Sequence, residues 1–257
     1  MAEIELKPGT PFCTADDLNR VARQQGLCLA IAQAFIFDEV CQIIQLPKET
    51  EADLINRFRL SESLEGDNDL QHFLQTKSWT ERDLLYFATK NERLDRFRWQ
   101  LFEDDVELRF LERKTGLDEI SYSLIRLRNE DLAFELHQRL IEEEATFEAL
   151  ATLYSEGPEK ETEGKLGPVP LSQAHPVLVE KLRISQPGQL WEPFFLKDIW
   201  GILRLDNWVG ARLDESTKQQ MVEELFEEWL HDRALQLLHG QTPSPLPQHK
   251  LNSQLVE

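Results

Sequence analysis

Apolar residues recur at steps of three and four through the first 117 positions, the spacing of helices with one buried face. Thr14 followed by Asp17 has the form of an N-cap with a reaching acid, and Gly26 interrupts the pattern, so a short first helix is expected between them. From Leu27 to Leu46, Leu29, Ala32, Ile36, Val40 and Ile43 draw one stripe down a core helix that Pro47 stops. Thr50 with Asp53 repeats the capping signal ahead of Leu54, Ile55 and Phe58, and the stretch from Glu65 to Asp69 reads as a turn. A third signal, Thr80 with Asp83, opens a run to Lys114 without Pro or Gly. It carries Leu84, Phe87, Leu94, Phe97, Leu101, Phe102, Val106 and Phe110, predicting one long or two consecutive helices ending near Gly116.

The texture changes at Ser121. SYSLIRL is short, β-branched and aromatic, and predicts a strand. Asn129 caps a helix through Leu132, Leu136 and Leu140, and Thr146 opens another through Phe147, Leu150 and Tyr154. A Gly- and Pro-containing loop follows from Ser155 to Pro170. Pro176 to Arg183 suits a short helix, because proline is tolerated in a first turn; Pro187-Gly188 makes a turn, and IWGILRL at 199–205 is a second strand. Helix returns from Asp214 to His239, with Val222, Leu225, Phe226, Trp229 and Leu230 on one face and Gly240 as its stop. The pattern predicts an α+β chain: all-helical over 1–117, mixed strand and helix over 118–210, helical again over 211–240, and a disordered tail (241–257) with three alternate prolines.

Composition narrows the function classes. The 257 residues carry 47 acidic against 28 basic side chains, a formal charge of −19, so the summed field repels nucleic-acid phosphates and anionic headgroups and disfavours both as partners. No apolar run approaches the roughly 18 residues of a membrane span. MAEIELKPGT places acids and a proline where a secretory signal needs a basic start and an apolar stretch, and Cys13, Cys28 and Cys41 form no CxxC pair. Cytoplasmic localisation with reduced, buried thiols is the expectation. None of the six histidines stands at a recognised zinc spacing, and solvated surface is the expected place for them. There is no Walker loop, GxGxxG or GxSxG. No metal or cofactor is expected.

One stretch is specific. FEALATLYSEGPEKETEGKLGPV, from Phe147 to Val169, places Phe147, Leu150, Ala151, Ser155, Pro158, Gly164, Leu166 and Gly167 at the spacings of a known signature. The register continues through Pro176, Pro187-Gly188, Pro193 and Ile202 to Leu205. The chain resembles the parvulin-type (PpiC, rotamase) peptidyl-prolyl cis-trans isomerases over about ninety residues. The resemblance implies an inserted domain with a small antiparallel sheet flanked by helices (118–210), and the helical N-terminal half (1–117) resembles the frame of SurA-type chaperones, in which the C-terminal helix (211–240) packs on and completes the N-terminal domain. The resemblance implies a groove that grips an X-Pro segment, lined here by Leu166, Ala174, Leu178, Phe194 and Trp200.

The departures from that family bear on activity. Parvulins commonly hold a histidine in the first strand, a cysteine or aspartate before the loop proline and a second histidine in the last strand; by this register the chain has Ser123, Gly157 and Gly201. Ala174 and Leu178 stand where a methionine and a phenylalanine line the slot, and the glycine pair is Glu163-Gly164. Isomerisation crosses a barrier of about 18–20 kcal/mol without breaking a covalent bond, so the enzyme has only to favour the twisted amide over both planar forms. Without histidines at 123 and 201, the polar floor that would do so lacks its usual residues. The resemblance therefore implies a chaperone that binds unfolded or proline-containing polypeptide with weak or absent isomerisation. The alternative is a non-catalytic adaptor or accessory of a protein export system, with the secretion machinery as partner.

Overall fold

The computed structural model describes residues 3–5, 9–64 and 66–247. The chain is α+β and divides into two compact units, Met1–Val106 with Lys218–Glu257 and Glu107–Thr217. The first holds a two-stranded antiparallel pair, β1 (Glu3–Ile4) and β2 (Cys13–Thr14), then α1 (Ala15–Gln24), α2 (Cys28–Ile43), α3 (Lys48–Ser61), α4 (Asp67–Lys77) and α5 (Glu81–Phe102). It also takes most of the last helix, α10 (Glu215–Leu238). The second runs through α6 (Val106–Leu117), β3 (Glu119–Leu127), α7 (Glu130–Ile141), α8 (Phe147–Tyr154), β4 (Lys165–Pro170), α9 (Pro176–Arg183), β5 (Phe194–Leu196) and β6 (Ile199–Val209).

Thr14 and Thr80 form reciprocal caps: the Asp17 amide donates to Thr14 Oγ1 at 3.2 Å, and the Thr80 amide donates to Asp83 Oδ2 at 2.7 Å. Thr50 does not cap. Pro47, with its φ already near −57°, ends the preceding segment and starts α3 at Lys48, so Thr50 lies inside the first turn. The expected turn at 65–69 gives way from Asp67 to α4, which has only Leu70, Phe73 and Leu74 as an apolar signal; the Gly66 amide donates to Asp69 Oδ2 at 3.0 Å. The long pattern from 81 to 114 resolves as two helices, α5 and α6, joined by a 3₁₀ turn at Glu103–Asp105.

The core of the first unit gathers Ile36 and Val40 of α2, Leu94 and Phe97 of α5, and Phe226, Leu230 and Ala234 of α10. Phe97 and Phe226 meet edge to face at 6.3 Å, with Trp229 tilted against Phe97 at 5.3 Å. The C-terminal helix thus completes the N-terminal core. Arg93 is buried in this unit. Its Nε donates to Thr89 Oγ1, its Nη1 to the Cys41 and Ile44 carbonyls at the end of α2, and its Nη2 to Glu51 at 2.6 Å. The start of the expected disordered tail is ordered: Leu246 is buried in the core and the Ser244 carbonyl accepts from Arg233 Nη1 at 2.7 Å, because an apolar side chain among the prolines finds a socket. The rest of that segment, 248–257, lies outside the described residues.

In the second unit the sheet order is β4-β3-β6-β5, antiparallel throughout. β4 falls inside what the sequence presents as a loop, and β5 is three residues long. Alternation along β3 divides the unit into two layers. Ile125 and Leu127 with Ile202 pack on α7 and α8, through Leu136, Phe147 and Leu150. Ile120, Tyr122 and Leu124 with Leu203 and Leu205 pack on the opposite side with Leu171, Leu178 and Leu182. Asp118 clasps the strand ends: its carbonyl accepts from the Leu171 amide, and its carboxylate from the Ala211 amide and Trp208 Nε1.

His137 departs from the expected solvated surface. It is buried on the inner side of α7, where burial lowers its pKa below the ordinary histidine value and Glu192 partly opposes the shift. Cys41 is buried, whereas Cys13 and Cys28 are only partly covered. Among the described residues no single helix is long and apolar enough to cross a membrane, and no three His, Cys, Asp or Glu side chains gather as metal ligands.

Candidate functional site

The apolar face of the second unit, opposite α7 and α8, brings together most of the expected groove residues. Ala174 and Leu178 are buried beside Leu203, with Leu166 and Phe194 partly exposed against the same layer. Phe194 pairs with Gly201 across β5 and β6, and Leu166 pairs with Tyr122 across β4 and β3. Lys181 of α9 lies over the rings of Trp191 and Phe194, at 4.2 and 4.5 Å, and closes one side. The signature glycines allow close approach at the sheet, one toward β3 and one toward the α8 layer. Gly167, at φ +102°, lies so close to the Ile120 carbonyl that no side chain fits, and Gly164, at φ +84°, lies against Ala151 and Phe147.

Two expected residues are not in the groove. Ser123 points to the α8 side of the sheet. Its Oγ donates to Asp206 Oδ2 at 2.6 Å and accepts from Arg204 Nη2 at 3.3 Å, and Arg204 in turn lies over the Phe147 ring and bridges to Glu148. Side chains alternate faces along a strand, so a register one residue off lands on the wrong side. The groove-facing neighbours are Tyr122 and Leu124. Trp200 is likewise on the α7 side, 5.8 Å from Phe134 and 5.6 Å from the exposed Phe195.

Gly201 and Gly157 do face the groove, and neither leaves an empty space. A Cβ on Gly201 would stand 2.8 Å from Leu196 Cδ1 and 3.6 Å from Leu124 Cδ1. A Cβ on Gly157 would stand 2.5 Å from Arg126 Nε and closer still to both carboxylate oxygens of Glu159. Arg126 pairs with Gly201 across β3 and β6, so its side chain leaves the sheet on the groove side. The guanidinium grips Glu159 in a fork, Nε to both oxygens at 3.1 and 3.0 Å and Nη2 to Oε2, and Ser155 Oγ donates to the same carboxylate. Burial pushes the Glu159 carboxyl up, but the hydrogen bonds from Arg126 and Ser155 outweigh it and hold the group below its ordinary value. The same pair raises the pKa of Arg126. Neither residue is visible as a site in the sequence; the arginine in the strand SYSLIRL was the available signal.

Residues 126–207 match the Rotamase family, the PPIC-type PPIASE domain. This stretch of the chain is a parvulin-type domain. The whole chain resembles the peptidylprolyl isomerase PrsA from Bacillus cereus, at 16% identity and a TM-score of 0.50, over 100% of this chain and 99% of that one. PrsA from Bacillus anthracis is 20% identical with a TM-score of 0.44, over 85% and 99% of the two chains. A SurA-like chaperone of Campylobacter jejuni is 15% identical with a TM-score of 0.37, over 95% and 99%. At these identities the likeness concerns the fold. No curated protein matches the sequence.

The parvulin domain therefore keeps the glycines and the apolar layer of its family, with leucine and an internal ion pair in the spaces beside Gly201 and Gly157.

Proposed function

We propose that the protein is a chaperone of parvulin build, which binds unfolded or proline-containing polypeptide and turns its prolyl bonds slowly or not at all. The observation that carries this reading is the filling of the two glycine positions, by Leu196 at Gly201 and by the Arg126–Glu159 pair at Gly157. Catalysis requires groups that bind the twisted amide better than either planar form, whereas retention of an extended segment requires only shape and backbone contacts.

The first unit supports the same reading with an open cleft of about 590 Å³ between α1, α2 and the end of α10, into which Ile31, Phe35, Leu237 and Leu238 project. Phe35 is 68% exposed, well beyond what a core residue would be. The formal charge of −19 keeps such surfaces dispersed by repulsion between molecules.

Light scattering of a chemically denatured client diluted into buffer with stoichiometric protein tests the proposal. Protection is expected for proline-containing and proline-free clients alike, and it weakens as salt rises, because the screening length falls from about 10 Å at 0.1 M to about 3 Å at 1 M. Protection of neither client would remove the chaperone reading in favour of an adaptor.

A further inference from the structure

The buried ion pair has a part that its internal partner does not use. Among the described residues, Arg126 engages Glu159 through Nε and Nη2, which leaves the Nη1 edge of the fork without a protein acceptor. The Arg126 side chain is 31% exposed while that of Glu159 is fully buried, so the arginine is the member of the pair that solvent reaches. The loop after α8 is pinned beneath it: the Arg126 amide donates to Ser155 Oγ at 3.1 Å, and the Glu156 amide donates to the Arg126 carbonyl at 2.8 Å. Gly157 of the same loop passes against the pair, where a Cβ would stand 2.5 Å from Arg126 Nε, so only a glycine leaves the guanidinium in place.

We infer that Arg126 receives a backbone carbonyl of the bound polypeptide through its Nη1 edge, with Glu159 and Ser155 as positioning residues. The inference rests on the polypeptide-binding reading above. The choice of a carbonyl over a carboxylate follows from charge. Glu159 neutralises the guanidinium at hydrogen-bond distance, so the pair presents a strong, oriented donor with little net field. A neutral acceptor takes the full benefit of that donor, whereas a carboxylate would meet the Glu159 charge close behind it. The groove thereby recognises main chain without favouring acidic neighbours of the proline, which suits a binder of varied sequences.

The test is fluorescence anisotropy with the full chain and two labelled, blocked peptides, one with Phe-Pro-Phe at its centre and one with Glu-Pro-Phe. The wild-type protein is expected to bind both within about twofold, a difference below the scale of one hydrogen bond. The double variant Arg126→Met with Glu159→Gln, which leaves no buried charge without a partner, is expected to weaken both by about tenfold, the loss of one charge-assisted hydrogen bond. Glu159→Gln alone keeps the guanidinium and uncovers its charge. It is expected to shift preference toward the Glu-Pro peptide by about tenfold at low salt, with the shift lost in 1 M salt. Wild-type binding with an unaffected double variant, or no shift in Glu159→Gln, overturns the role of Arg126 and leaves the groove reading intact. Failure of the wild-type protein to bind either peptide overturns that reading and the inference with it.

Discussion

Leu196 Cδ1 stands 2.8 Å from the point where a side chain on Gly201 would begin, so the space beside that glycine is already packed. The same is true of Gly157 and the Arg126–Glu159 pair. Replacement of either glycine by the polar residue common in parvulins is therefore a problem of volume before it is one of chemistry. Gly157→Cys is expected to destabilise the parvulin domain by about 1 to 3 kcal/mol, the usual cost of overpacking. Urea melts check this. Truncation of the pair in Gly157→Cys with Arg126→Ala and Glu159→Ala should not add to the cost in full, since the obstruction is then gone; strict additivity of the separate changes would contradict the packing described here.

Arg93 joins α2, α3 and α5 through acceptors that no other described side chain is seen to satisfy. Arg93→Met leaves the Cys41 and Ile44 carbonyls of the α2 end without that donor. Each orphaned buried acceptor costs about 1 to 3 kcal/mol. A loss of at least about 2 kcal/mol in the first unit is expected by thermal or urea unfolding, and a change within experimental scatter would show that water replaces the arginine without cost.

The return of the chain to the N-terminal core is tested at two depths. Phe226→Ala removes a ring packed on Phe37, Phe97 and Trp229 and is expected to cost about 3 to 5 kcal/mol. Leu246→Ala, beyond the last helix, is expected near the lower end of the range for large-to-small changes, about 2 kcal/mol. Denaturant titration followed by tryptophan fluorescence reads both. A neutral Leu246→Ala would mean that residues 241–247 add nothing to the core.

Much of this architecture is legible in the sequence, and what is not has a physical reason. The stripe Ile36, Val40 with Phe226 and Leu230 repeats at helical spacing, and the caps at Thr14, Thr80, Asn129 and Thr146 are local signals. The short helix α4 has too few apolar residues to announce itself, and β4, KLGPVP, carries the Gly and Pro of a loop because its partner strand demands close approach at Gly167. The site is harder still. A register one residue off places Ser123 in a groove that it does not face, since faces alternate at every residue. Arg126 and Glu159 are separated by 33 positions, and nothing local to either one names the other.

Protonation offers an independent probe of the parvulin domain. His137 is buried with a lowered pKa, so its contribution to stability is present above the ordinary histidine value of 6.5 and is lost as pH falls through its folded value. Glu159 is also lowered; its contribution is present above the ordinary glutamate value of 4.5 and is lost as pH falls through a value below that. Stability should thus decline in two stages on acidification, and His137→Gln should remove the first. A melting profile in which His137→Gln and wild type fall in parallel from neutral pH downward would contradict the assignment.

If this parvulin fold holds polypeptide without efficient turnover of the prolyl bond, NMR exchange spectroscopy on a blocked Phe-Pro peptide separates the two. Uncatalysed exchange takes on the order of tens to hundreds of seconds, so any sub-stoichiometric catalyst is evident as cross-peaks between cis and trans signals. With the wild-type protein, shifts or broadening from binding are expected, without exchange cross-peaks above the peptide alone. Strong cis-trans cross-peaks at sub-stoichiometric protein would show that the filled groove still catalyses, and the claim would fall.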